Sequence, residues 1–179
     1  MAATPRPRPG DWRERAAVLV DPEAGRATLP VELLNELFSH ARECYPDECC
    51  GILTGPAGGE AVEQVRCTNV QNLRYSKGDS ELDAGHGFWI DERELVPALQ
   101  RARARGHDLV TVYHSHIDTE VYLSREDLRG ALGDNGTPLW PGVGQVVISV
   151  QQGEVRGAGL FEWDDAVGGF RGQTLLPRS

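Results

Sequence analysis

The stretch Leu109-Val-Thr-Val-Tyr-His-Ser-His-Ile-Asp-Thr-Glu-Val-Tyr-Leu-Ser-Arg-Glu-Asp127 decides how the rest of the chain is read. Its first five residues, Leu109 to Tyr113, are apolar or β-branched and read as a buried strand. Directly after them stand His114 and His116, two of the five histidines in the chain. Side chains alternate along a strand with a period of two, so both imidazoles project from one face and can meet one ion, while Ser115 points away. Asp127 follows eleven residues after His116, and the segment between is short enough to fold back and offer a carboxylate oxygen as a third ligand. Three protein ligands leave one coordination position open, which for Zn²⁺ marks a catalytic rather than a structural site. Taken alone, an H-x-H pair at a strand end is more often two partly exposed histidines, and Ser124-Arg-Glu-Asp127 is more often a plain helix cap. His114, His116, Ser124 and Asp127 together match H-x-H-x₇-S-x₂-D, and four fixed residues in one window are far more specific than a pair.

Outward from this window the chain alternates short apolar runs with helical periodicity. Pro30 opens a helix in which Leu33, Leu34, Leu37, Phe38, Ala41 and Cys44 recur at helical spacing until Pro46 ends it. Gly51 to Gly55 and Ala61 to Val70 read as two strands joined by the Gly- and Pro-rich turn between them. Phe88-Trp89-Ile90 reads as another strand. Asp91 with Glu94 caps a second helix carrying Leu95, Leu99 and Ala102, which Gly106 closes. Ser124 to about Leu132 reads as a short helix, and Gln145–Val150 and Val155–Phe161 as strands around Gln152-Gly153. Helices and strands mix without strict βαβ alternation, so the fold class is α+β, a mixed sheet flanked by helices. One domain over residues 16–163 is expected, with a flexible Pro/Arg-rich tail at 1–15 and a loose, Gly-rich tail at 164–179.

Composition narrows the function. Lys and Arg number 18 against 27 Asp and Glu, a net charge of −9, so nothing supplies the basic face that nucleic acid requires. No apolar run approaches the roughly 20 residues of a membrane span, and the leader after Met1 is polar, so a soluble cytoplasmic protein is expected. Cys44, Cys49, Cys50 and Cys67 are expected to be reduced thiols rather than nucleophiles or disulfides.

The window from His114 to Asp127, together with the upstream Pro46-Asp-Glu-Cys-Cys-Gly-Ile-Leu-Thr-Gly55, resembles the JAMM (MPN+) zinc metallopeptidases. The likeness runs from about Thr28 through Phe161 and is greatest to small prokaryotic members that process ubiquitin-like or sulfur-carrier proteins. It implies the MPN/JAB (cytidine-deaminase-like) fold and one Zn²⁺ per chain on His114, His116 and Asp127. It also implies Glu48 as the general base that takes a water proton, and Ser124 as the hydrogen-bond donor to the oxyanion. The implied partner is a ubiquitin-like or sulfur-carrier protein with a C-terminal Gly tail, cut after its glycine. Ile117 stands where a proline often follows the second histidine. Asp118 and Glu120 make the next loop acidic, which would suit a basic patch on such a partner. The remaining readings are a metal-free scaffold of the same fold or a metalloprotease of broader specificity. The metallo-β-lactamase pattern fails because position 119 is Thr and no histidine follows His116, and an amidohydrolase barrel needs about 250 residues.

Overall fold

The computed structural model describes residues 12–179. A helical turn α1 (Trp12–Arg15) leads into β1 (Ala16–Leu19) and β2 (Arg26–Pro30), followed by the long helix α2 (Val31–Cys44). Then come β3 (Cys50–Pro56), β4 (Glu63–Cys67), α3 (Gln71–Lys77), α4 (Glu92–Ala104) and β5 (His107–Ile117). The chain ends with β6 (Tyr122–Ser124), α5 (Arg125–Ala131), β7 (Gly144–Gln151), β8 (Glu154–Asp164) and β9 (Gly169–Arg178). Seven strands form one mixed sheet in the order β2-β9-β8-β7-β5-β3-β4, with β5/β7 and β2/β9 parallel, and β1 pairs with β6 in a separate two-stranded sheet. This is the α+β arrangement expected, a mixed sheet between helices.

Two apolar faces cover the sheet. Leu33, Leu34, Leu37 and Ala41 of α2, at the helical spacing read from the sequence, pack in one cluster with Tyr113, Val146, Ile148 and Val150. On the other face, Ala98 of α4 shares a cluster with Ile52 and Val112. β5 therefore lies between helices on both sides and between β3 and β7 within the sheet. Such a strand is buried along most of its length, which is why the run Leu109–Tyr113 reads as continuous rather than alternating.

Several elements depart from the sequence reading. Residues 164–179 are not a loose tail: Gly169–Arg178 is a strand inserted between β2 and β8, with Phe170 and Leu175 buried in two different clusters. Its glycines hid it, yet Gly172 is there because a Cβ would lie 2.5 Å from Phe161 Cε1 and 2.7 Å from the Leu19 carbonyl oxygen. Of the tail expected over residues 1–15, residues 1–11 fall outside the described residues, and Trp12–Arg15 form a helical turn stacked on the domain. Phe88-Trp89-Ile90 is not a strand; only an isolated bridge joins Ile90 to Asn69. Asp91 caps α4 through the Arg93 N–H, but Glu94 does not complete a capping box, because its carboxylate accepts from the Thr68 N–H and hydroxyl instead. No helix is long and apolar enough to cross a membrane among the described residues.

Candidate metal centre

β5 extends through both histidines, so His114 and His116 sit inside the sheet, at 0% and 3% exposure, rather than at a frayed end. The polar side chains come together at the C-terminal end of this strand. His114 Nε2 and His116 Nε2 lie 3.1 Å apart, Asp127 Oδ2 lies 3.2 Å from His116 Nε2, and it lies 3.3 Å from His114 Nε2. Among the described residues this is the group of His, Cys, Asp and Glu whose donor atoms converge as a metal site requires. Zinc bonds of about 2.0–2.1 Å in a tetrahedron place neighbouring donors about 3.3 Å apart, so the three separations fit such an ion with the fourth corner free.

Local chemistry places each donor. Asp127 is held by a capping box at the start of α5: its N–H donates to Ser124 Oγ at 3.0 Å and its Oδ2 accepts the Ser124 N–H at 2.8 Å. One rotamer of Asp127 thus makes the cap and also turns Oδ2 toward the two histidines. Burial alone would raise the Asp127 carboxyl, but His114 and His116 outweigh it and hold it well below the usual carboxylate range. Burial in turn lowers His116, with Asp127 opposing. The imidazoles are oriented by ring packing: Phe88 stacks on His114 at 4.3 Å and Tyr122 lies 4.5 Å from His116, while both Nδ1 atoms are buried without a hydrogen-bond partner among the described residues.

Glu48 approaches from β3. The antiparallel register pairs Cys50 with His114, and the Ser115 N–H continues it by one residue to the Cys49 carbonyl, the neighbour of Glu48. The Glu48 N–H donates to the Ala84 carbonyl at 2.7 Å and its own carbonyl accepts from Asn69 Nδ2 at 2.9 Å, which fixes the backbone. The side chain is 4% exposed, and Oε2 has no hydrogen-bond partner among the described residues. Burial first, and the Asp127 carboxylate second, push the Glu48 carboxyl well above its usual range. A buried carboxyl with a raised proton affinity is what a group that both accepts and returns a proton needs. Ser124 is 2% exposed, and as a cap it uses a lone pair, which leaves its O–H to donate elsewhere.

Ser115 is the residue whose part the sequence reading missed. It points away from the histidines, but its Oγ accepts the Cys49 N–H at 2.8 Å and its N–H donates to the Cys49 carbonyl at 3.1 Å, clasping the segment that carries Glu48 to the strand that carries the two histidines. Asp118, exposed and at φ 52°, accepts from the Gln152 N–H at 2.7 Å and from the Tyr45 hydroxyl, which fixes the direction of its carboxylate. The four cysteines are free thiols, and burial pushes Cys49 up to about 12, the property of a core residue rather than a nucleophile. A cleft of about 770 Å³ opens beside the site, with Asp127, Phe88, Trp89, Leu139 and Trp140 among its lining residues.

Residues 30–162 match the family model described as prokaryotic homologs of the JAB domain. The chain belongs to this family. Glu48, His114, His116, Ser124 and Asp127 all lie within the matched span, while β1 and the whole of β9 lie outside it. Curated relatives include the CysO-cysteine peptidases of Mycobacterium tuberculosis and Mycobacterium bovis, each 34% identical over 102 residues, which cover 55% of this chain and 60% of the relative. The match thus spans under two thirds of their length. A desampylase of Haloferax volcanii is 26% identical over 130 residues, covering 70% of this chain and 82% of the relative. Solution structures of a Desulfitobacterium hafniense protein (22% identity, TM-score 0.62, covering 86% of this chain and 93% of that one) and of a Salinibacter ruber protein (25% identity, TM-score 0.56, covering 86% and 92%) share the fold.

Proposed function

We propose that this JAB-domain protein is a zinc metallopeptidase with one ion per chain. It hydrolyses the bond after the C-terminal glycine of a ubiquitin-like or sulfur-carrier protein. The observation that carries the proposal is the convergence of His114, His116 and Asp127 at separations that suit one tetrahedral ion. The names of the relatives, a CysO-cysteine peptidase and a desampylase, support the substrate class.

Zinc held by these three residues supplies Lewis-acid activation of water and of the scissile carbonyl. The chain's own groups do the rest. Glu48 takes the proton of the attacking water and returns it to the departing nitrogen. Its burial favours the protonated form, the direction that this return requires. The Ser124 O–H donates to the carbonyl oxygen as negative charge develops there, a contribution typically of about 3–4 kcal/mol to the barrier. A glycine tail, extended and unbranched, suits a cleft that Asp127 helps to line, and no acyl-enzyme is required.

The test pairs metal analysis with cleavage of a β-grasp carrier extended beyond Gly-Gly, read by mass spectrometry. Wild type is expected to hold one zinc and cut after the terminal glycine, and Asp127→Ala to lose the metal. Glu48→Gln is expected to keep zinc and carrier binding while cleavage falls at least 100-fold, the lower end of general base catalysis. Full turnover by Glu48→Gln removes Glu48 from the mechanism, and efficient cutting of generic unfolded peptides at unrelated sites overturns the carrier assignment.

A further inference from the structure

The N-terminal segment before the family-matched span reaches the site. β1 pairs with β6 so that Ala16 lies opposite Ser124, which brings the preceding residue, Arg15, alongside the proposed oxyanion donor. Trp12 stacks on Tyr122, and Tyr122 packs against His116. Arg15 Nη2 donates to the His86 carbonyl at 2.9 Å, while Ala84 in the same turn accepts the Glu48 N–H at 2.7 Å. One turn therefore holds both the general base and this guanidinium. Its positive charge acts on Glu48, His116 and Tyr122 alike.

The charge of Arg15 has no carboxylate bonded to it among the described residues. The neighbouring Asp83 is committed to His86 Nδ1 at 2.6 Å. A carbonyl takes one N–H of a guanidinium that has five, so the rest are free to donate. The guanidinium thus brings spare donors to the turn that also holds the Glu48 backbone, next to the β1/β6 pair that ends at Ser124. A carboxylate is the group that such a planar fork of donors takes best.

We propose that Arg15 forms a leaving-group subsite that binds the α-carboxylate of a single amino acid attached after the carrier's C-terminal glycine. The protein then releases one free amino acid in preference to an isopeptide-linked lysine. This rests on the carrier-cleaving function proposed above. In an α-amino acid the carboxylate carbon lies about 2.5 Å from the scissile nitrogen, so an anion travels with the leaving group. At a lysine isopeptide the scissile nitrogen is at the far end of a four-carbon stem, and the α-carboxyl is a neutral peptide. In the hydrolysis, the water oxygen bonds to the glycine carbonyl carbon and the C–N bond breaks. The water proton passes through Glu48 to the nitrogen, and the products are the carrier's glycine carboxylate and the amino acid.

The experiment uses one β-grasp carrier ending in Gly-Gly and bearing alanine as the free acid, the same alanine as its carboxamide, or an Nε-linked lysine amide. Zinc-loaded wild type is expected to favour the free acid over the carboxamide by about 10- to 100-fold in kcat/KM, mostly through KM, as a charge-assisted pair implies. Arg15→Gln is expected to bring that ratio near one, and Arg15→Lys to keep part of it. A readout independent of turnover is calorimetric binding to Glu48→Gln, where the free acid is expected to bind at least 10-fold tighter than the carboxamide and the Arg15→Gln double variant to lose that margin. Equal use of acid and carboxamide by wild type, or an unchanged ratio in Arg15→Gln, overturns the subsite while carrier cleavage stands. Cleavage of none of the three carriers overturns the proposed function and the subsite with it.

Discussion

Replacing Ser115 by alanine removes one oxygen atom from between the two proposed ligands without touching either. Ser115 and Cys49 are 0% and 1% exposed, and the Cys49 N–H donates to Ser115 Oγ at 2.8 Å. In Ser115→Ala that N–H is left buried without its acceptor, at a cost of about 1–3 kcal/mol. For a chain of this size each kcal/mol moves the midpoint by about 2–4 °C, so thermal unfolding of the metal-free protein is expected to fall by about 2–12 °C. Cys49 is bonded directly to Glu48, and β5 remains held by β3 and β7. Zinc content is therefore expected to hold while carrier cleavage drops, because displacing a catalytic group by about 1 Å costs on the order of 100-fold. Hydrogen exchange at the Cys49 amide, followed by NMR, reads the clasp itself and is expected to accelerate. A midpoint within about 1 °C of wild type, together with unchanged cleavage and unchanged exchange, would refute the reasoning.

Two further outcomes follow from the core. Gly172→Ala sets a Cβ 2.5 Å from Phe161 Cε1 and 2.7 Å from the Leu19 carbonyl, and is expected to cost about 1–3 kcal/mol in urea unfolding; a neutral result would mean β9 shifts freely. Burial, and secondarily Arg66, lower the buried His40 from 6.5 to about 4, and its Nδ1 lies 2.7 Å from the Tyr113 hydroxyl. A base depressed in the folded state gives stability that is present above the unfolded value and lost as pH falls, here between about 6.5 and 4, at about 1.4 kcal/mol per pH unit for one proton. Urea unfolding across that window is expected to show a shallower acid slope for His40→Gln than for wild type, and parallel slopes would exclude His40 as the source.

What could be read from residues alone was whatever depends on short spans. His114, His116, Ser124 and Asp127 stand within one strand–turn–helix window, and a period of two plus one helix cap is enough to point them together. The apolar face of α2 and the burial of β5 follow equally from local periodicity. Glu48 was legible only through its likeness to a family, because no local rule joins residue 48 to the window at 114–127; the pairing of β3 with β5 brings the two segments side by side. Tertiary structure likewise decided β9, whose glycines look like breakers until Phe161 and the Leu19 backbone are packed against Gly172. It decided the clasp of Ser115 on Cys49 and the approach of Trp12 and Arg15, each a contact between segments at least 66 residues apart. Periodicity records which face of an element turns toward the core. Which distant backbone comes to meet that face is set by strand pairing and close packing across the whole sheet, and a linear window carries no trace of it.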